Sequence, residues 1–554
     1  MHVKNKFFIV LVLLTIIKIF LCCFLPNFYI ESYGYDDMLM MKLSDNISNG
    51  LWLGNYTDTT LVKGFFFPLF LSILRYIDIP YTLGLSILYI LSCITFCFVT
   101  RDLFKNKNIS FILYILLLFN PVTFSSETFQ RLYRYVLGPT QILFSLSFLY
   151  GIYKNNEIKK IIPHLIGLSL TYLSVIYTRE DYLFMNVLLV IMFIIYIFKL
   201  KKKSLILAIF FIIIIPANYL VTSINYKYYK ATTNNELINS NFAKAYQTLM
   251  KIKPDENIYR VSIPRSTLDK AMKVSPTFRK LKEIINQNYK ENPDLENGEL
   301  IDGYMIWAIR RMASYEGAYK SFETSEKFWG QVNEELNKAF KENKLDKRFT
   351  ISSVYISPPT LYNIKSFFKT LPKTITYVLS YDDFITYDYN TLKKSETAYI
   401  TKADISKVNY YPYYSITLRT KDTNNLGKLT FKGVGGICNI ITFIYKKISL
   451  IINVLGIISF IIILLNKNKK IIIPVITFIT AGLLICGITY TDATSFKAIR
   501  YFYLAPVYIT LIIFSFTSIY LLWGDIKNGQ VRTNYFTALF KRRKKSTKLS
   551  NKSQ

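Results

Sequence analysis

The chain has 554 residues, 51% of them hydrophobic, in apolar runs that reach the roughly 18–20 residues needed to cross a bilayer core. That pattern excludes an ordinary soluble globular protein. The formal net charge is +32, but the cations gather in short segments between apolar runs and in the tail, where they set topology and attract anionic membrane lipids, not nucleic acid.

Ten membrane helices are predicted, near 7–26, 81–99, 109–126, 135–153, 161–177, 182–199, 204–222, 447–466, 471–489 and 502–523. The first has a longer apolar run than a signal peptide and no small-x-small site after it, so it reads as a retained anchor. If its Lys4 and Lys6 lie inside, every second connection should be basic. Each one is: Arg101, Lys105 and Lys107; Lys154, Lys159 and Lys160; Lys199 and Lys201–Lys203; Lys467, Lys469 and Lys470; and the tail. Phe65–Ile77 is apolar but short, ends in Arg75 and Asp78, and would break this alternation if it crossed; it reads as an interfacial helix on the outer surface.

From about Ile224 to Gly436 the apolar runs stop, leaving a segment long enough for an exterior domain. Asp302–Glu316 has Tyr304, Trp307, Ala308 and Met312 at helical spacing, and Thr324 is placed to cap a helix with Phe328, Val332, Leu336 and Phe340 on one face. Tyr413–Arg419 and Lys428–Lys432 alternate like short strands. The expected fold is an α-helical polytopic membrane protein with both termini inside and a mixed α/β exterior domain inserted before the last three helices. Its parts are a seven-helix module over 1–222 with an exterior loop at 27–80, the exterior domain over 223–446, three helices over 447–523 and a basic tail over 524–554.

The chain holds two histidines, His2 and His164, and six cysteines without a CxxC pair. A histidine triad and a multi-histidine metal site are thereby excluded, and any general base falls to Asp or Glu. Asp36 and Asp37 open the first exterior loop, which also carries Asp45, Asp58 and Lys63. Adjacent carboxylates can cap a helix, or one can take a proton from an acceptor hydroxyl while its neighbour orients a substrate or a divalent Mg or Mn ion. Two like charges so close would push one pKa upward, which suits a base.

The second exterior loop holds Glu127, Arg131 and Arg134, the two arginines one helical turn apart. They either reach lipid phosphate at the interface or hold the phosphate of a lipid-linked substrate, and Lys497 and Arg500 in the last loop repeat the spacing. Arg179, Glu180 and Asp181 fill a connection where a plain turn would use Gly, Asn or Ser; an internal Arg179–Glu180 pair or substrate binding would explain them. His164 follows Pro163 at the inner start of a helix and reads as structural.

These features resemble the GT-C superfamily of membrane glycosyltransferases, including protein O-mannosyltransferases, lipid A aminoarabinose transferases and uncharacterised bacterial members. The residues that carry the likeness are Tyr35-Asp36-Asp37, Trp52-Leu53-Gly54-Asn55-Tyr56 through Lys63-Gly64-Phe65-Phe66-Phe67-Pro68-Leu69, Thr178-Arg179-Glu180-Asp181 and Arg500-Tyr501 with Pro506. It spans roughly 1–222 and 447–523, and departs from many members in having Asp-Asp where they have Asp-Glu. The resemblance implies a cell-envelope enzyme that transfers a sugar from a polyprenyl-phosphate donor to a glycan, lipid or protein acceptor at the outer face. Asp36 or Asp37 would be the base, and phosphate would be held by residues drawn from Arg131, Arg134, Lys497 and Arg500. The alternatives are a transporter or flippase of lipid-linked glycans, whose midplane charge here is little more than Lys18, and a non-enzymatic exterior sensor or assembly factor.

Overall fold

A computed structural model describes residues 2–30, 35–104, 106–179, 182–293, 295–348, 353–387, 425–468 and 470–529. Nineteen α-helices run through these residues. The first nine are α1 (His2–Cys23), α2 (Asp37–Ser48), α3 (Phe66–Tyr76), α4 (Tyr81–Val99), α5 (Lys107–Leu118), α6 (Gly138–Lys154), α7 (Ile158–Ile176), α8 (Leu183–Leu200) and α9 (Ala208–Tyr229). Next come α10 (Asn241–Met250), α11 (Arg265–Val274), α12 (Pro276–Arg279), α13 (Lys282–Glu291), α14 (Asp302–Tyr315), α15 (Phe322–Lys341) and α16 (Leu361–Ser380). The chain closes with α17 (Asn425–Leu465), α18 (Ile472–Thr494) and α19 (Ala505–Lys527).

Six helical stretches are long and apolar enough to cross a membrane: Tyr81–Leu103, Arg134–Lys154, Phe184–Tyr229, Gly433–Leu465, Ile472–Thr494 and Ala505–Lys527. This is the make-up of a membrane-embedded α-helical protein, with six such stretches against the ten expected. The shortfall has physical causes. The apolar parts of α1 and α5 are Ile9–Cys23 and Asn108–Leu118. At about 1.5 Å per residue, the 12 residues of α5 extend only roughly 18 Å. Helix α7 carries Lys159, Lys160 and His164, while α8 and α9 belong to one apolar stretch interrupted by the 3-10 segment Lys201–Leu207.

The mixed α/β exterior domain is also corrected. Among the described residues there are no strands, only isolated bridges such as Ile252 with Lys347. Lys428–Lys432 lies inside α17, and Tyr413–Arg419 falls outside the described residues. Five alternating residues are too few to resist a helix that propagates into the long apolar run beside them.

Helices α10–α15 enclose their own core around Phe242, Leu249, Ile309, Trp329 and Leu336, joined by Val62 from the first loop. Ser321, not Thr324, caps α15: the Ser321 hydroxyl accepts from the Thr324 amide (3.2 Å) while the Thr324 hydroxyl accepts from the Ser321 amide (3.0 Å). Helix α16 leaves this core; its Val378 packs with the membrane helices, and Thr489 of α18 donates to its Thr374 (2.9 Å).

At the join, Asp302 starts α14 and accepts from the Ser262 amide (2.6 Å) and from the Ser262 and Ser357 hydroxyls. Burial pushes its pKa up to about 6 against these hydrogen bonds and the charge of Arg348. The folded state thus holds a proton on Asp302 that the unfolded chain releases near pH 4, so stability should fall as pH rises from about 4 through 6, by roughly 3 kcal/mol from this group. Asp302→Asn should flatten that slope in thermal melts recorded between pH 4.5 and 7.5.

Candidate functional site

The site forms where α1, the first loop and the 119–137 segment meet. After α1 the chain runs extended, and Phe28 pairs with the strand-like backbone at Arg131: its amide donates to Gln130 (3.0 Å) and its carbonyl accepts from Leu132 (2.7 Å). This brings the first-loop acids against the second loop.

Asp36 occupies the position before α2, yet its side chain caps nothing. Its Oδ1 instead pairs with the Lys63 ammonium and accepts from the Tyr133 hydroxyl (2.7 Å). Asp37 turns the other way. Its Oδ1 accepts from Arg131 Nη2 (2.6 Å), and its Oδ2 from Arg131 Nε (2.8 Å) and the Ile30 amide (2.9 Å). The remaining Arg131 nitrogen, Nη1, donates to Glu127 (2.6 Å).

Exposure separates the two aspartates. The Asp37 side chain is fully buried, whereas 43% of the Asp36 side chain is exposed beside a Lys63 that is 3% exposed. Burial would raise the Asp36 carboxyl, but the Lys63 charge and hydrogen bond, the Tyr133 hydroxyl and Arg131 outweigh it and hold the group well below the usual carboxylate range. Burial pushes Asp37 upward, opposed by Arg131. Burial also disfavours charge on Arg131, but Asp37 and Glu127 together keep it firmly protonated. The expected upward shift therefore falls on the enclosed aspartate, and the accessible one is strongly ionised.

Arg131 and Arg134 do not share a helical face. A π-helical turn ends at Gln130, Arg131 is extended, and a 3-10 turn begins at Arg134. The break lets the backbone reach Phe28. Both guanidiniums still approach the Tyr133 ring, at 5.1 and 5.8 Å, and Arg134 donates to the Thr178 carbonyl (3.1 Å). Arg179 is buried against Tyr135 (4.5 Å), Tyr182 (4.6 Å) and Tyr503 (5.5 Å). Glu180 and Asp181 lie outside the described residues.

The last loop arrives through Tyr501, whose hydroxyl accepts from the Glu127 amide (2.9 Å), and through Tyr503 against Tyr135 (4.9 Å). Arg500 is half-buried near Tyr377. Lys497 is exposed and makes no hydrogen bond or ion pair among the described residues. Asp492 accepts from Arg260 (3.0 Å) and from the amides of Ala498 and Ile499, so it shapes that loop.

Sequence reasoning left Lys63, Tyr133 and Tyr503 out of the site. Lys63 carried a usable signal: a lysine next to glycine within a loop of five aspartates. Gly64 is needed there, because a Cβ would lie 1.9 Å from the Tyr177 carbonyl oxygen, the same oxygen that accepts from the Phe66 amide. Gly64→Ala should push the Lys63 segment off Tyr177 and lower stability by about 1–3 kcal/mol, read as a lower thermal midpoint of the purified protein.

No group of three or more His, Cys, Asp or Glu placed to hold a metal occurs among the described residues, and the carboxylates of Asp36 and Asp37 already face cations. Lys18 is fully buried and donates to the carbonyl (3.1 Å) and hydroxyl of Thr123, over the Phe124 ring at 4.6 Å. It ties α1 to the turn after α5. His164 lies tilted beside the Phe148 ring (6.3 Å), away from the acids.

A cleft of about 380 Å³ opens between α5, α17 and α19, lined by apolar residues such as Ile112, Ile452 and Phe516, with Tyr381 also in its wall. From Tyr381, ring contacts run through Phe384 (5.3 Å) to Tyr501 (4.5 Å), which touches Glu127. Comparison with protein-family models, with curated proteins and with solved structures finds no match to this chain.

Proposed function

We propose that this protein is a glycosyltransferase of the GT-C kind, moving a sugar from a polyprenyl-phosphate donor to an acceptor hydroxyl at the outer face of a cell membrane. In this reading the membrane-length stretches cross the bilayer with both termini inside, and α10–α15 stand outside. The observation that carries the reading is the half-exposed Asp36 carboxylate, set against Lys63 and Tyr133, whose ring the Arg131 and Arg134 guanidiniums also approach.

The acceptor oxygen attacks the anomeric carbon and the bond from that carbon to the phosphate oxygen breaks. The electron pair leaves with the lipid phosphate, and the acceptor proton passes to Asp36. Direct displacement inverts the anomeric centre. Lys63 keeps Asp36 ionised but weakly basic; as negative charge grows on the departing phosphate, the ammonium turns toward it and Asp36 regains basicity. Arg134 and Arg179 supply further positive field, while Arg131 is committed to Asp37 and Glu127 and holds the loop in place. The apolar cleft that Tyr381 helps to line suits the prenyl chain.

Transport ranks below transfer because Lys18, the conspicuous intramembrane charge, is occupied by Thr123. The test is the surface glycan of cells carrying Asp36→Asn at normal membrane level. Loss of the glycan supports transfer, and full glycan overturns it.

A further inference from the structure

Helix α14 lays one face across the first loop. Gly303, Trp307 and Arg311 recur every four residues on that face. Gly303 meets the last loop, its amide donating to Ser495 (3.4 Å), and Arg311 pairs with Asp58 (3.1 Å) and lies over the Tyr35 ring (5.0 Å). Between them Trp307 stands 5.3 Å from the Lys63 ammonium and 5.6 Å from the Tyr35 ring. Trp307 and Tyr35 are both only half-buried, although the neighbouring Met305, Ile306, Ile309 and Arg310 are buried.

The result is an aromatic wall facing a half-exposed carboxylate and its ammonium partner. Trp307 packs part of its ring against the helical core and leaves the rest exposed beside Lys63 and Tyr35. Aromatic rings beside a few convergent polar groups make a binding surface, and a pyranose fits this one, with an apolar C–H face for the ring and hydroxyls for the charges.

We propose that Trp307 is the ring platform for a pyranose acceptor, so that the helical domain supplies the acceptor subsite and the acceptor is a carbohydrate. This rests on the transfer reading for its role, though not for the sugar contact itself. It gives the domain its purpose: α14 presents the acceptor hydroxyl to Asp36 while the donor lipid stays in the membrane.

The test uses the full chain in nanodiscs and saturation-transfer NMR, with the methyl pyranosides of glucose, mannose, galactose and N-acetylglucosamine as probes. Saturation should reach the ring C–H protons of at least one glycoside. Trp307→Ala should weaken that signal by roughly tenfold, and Trp307→Phe should restore most of it. Trp307→Leu keeps apolar bulk on α14 without a ring and should behave like Ala, which separates lost stacking from lost packing. No transfer to any glycoside, or an undiminished signal in both Trp307→Ala and Trp307→Leu, overturns the proposal. If the signal depends on Trp307 while Asp36→Asn cells keep a full surface glycan, the sugar site stands and the transfer reading falls.

Discussion

Asp36→Asn is expected to lower sugar transfer by about 10²–10⁴-fold, the range of a positioned general base, with the fold preserved. Asparagine keeps an oxygen for Lys63 and Tyr133 but cannot take a proton. Asp37→Asn should behave differently. It removes one partner of a buried bidentate pair and leaves Arg131 with Glu127 as its one remaining carboxylate, which costs about 3 kcal/mol. Activity lost at an unchanged thermal midpoint therefore marks Asp36, and activity lost together with the midpoint marks Asp37. The pH profile is a second check. Because Lys63 holds Asp36 below the usual carboxylate range, it is ionised throughout neutral and mildly acid solution. Transfer measured from pH 8 downward should show no acid limb from this group above about pH 4, and a limb near pH 6 would contradict the assignment.

The second large effect is expected at the join of domain and loop. Arg310 and Glu236 form an ion pair with each side chain 1% exposed. Arg310 Nε also donates to the Asp58 carbonyl (2.9 Å), and the Tyr56 hydroxyl donates to Glu236 (2.7 Å). The Arg310 guanidinium lies between Phe242 and Tyr319, at 4.7 and 4.6 Å. Arg310→Met should destabilise the protein by about 3–5 kcal/mol, since it strands a carboxylate out of water. The Arg310→Met, Glu236→Leu double variant should recover much of that loss, because no buried charge remains. Thermal melts of the two variants decide the matter: equal losses would mean that the pair is not coupled. Since the pair anchors α14, the single variant should also weaken any contact that depends on Trp307.

Much of the helical plan was legible. Apolar runs near 81–99, 135–153, 471–489 and 502–523 correspond to α4, α6, α18 and α19, because a membrane-type helix declares itself by length and hydropathy alone. Phe65–Ile77 likewise contains α3. The α14 face was misread. Tyr304, Trp307, Ala308 and Met312 have the right spacing, yet the buried stripe is Met305, Ile306, Ile309, Met312 and Ala313 with Arg310 among them. Amphipathic reasoning sends charge outward, whereas this helix contacts two surfaces and buries its arginine against a glutamate 74 positions away.

The sequence by itself determined a helical chain with membrane-length apolar stretches, and it singled out the first-loop acids and the second-loop arginines. Only the tertiary structure decided how they divide their work. Asp36 precedes α2 with a non-helical backbone while Asp37 starts the helix, so two identical aspartates received opposite surroundings, one enclosed by Arg131 and one half-open beside Lys63. That division depends on the Phe28–Arg131 pairing and on Gly64 against Tyr177, contacts between segments about 100 residues apart, which no local pattern encodes.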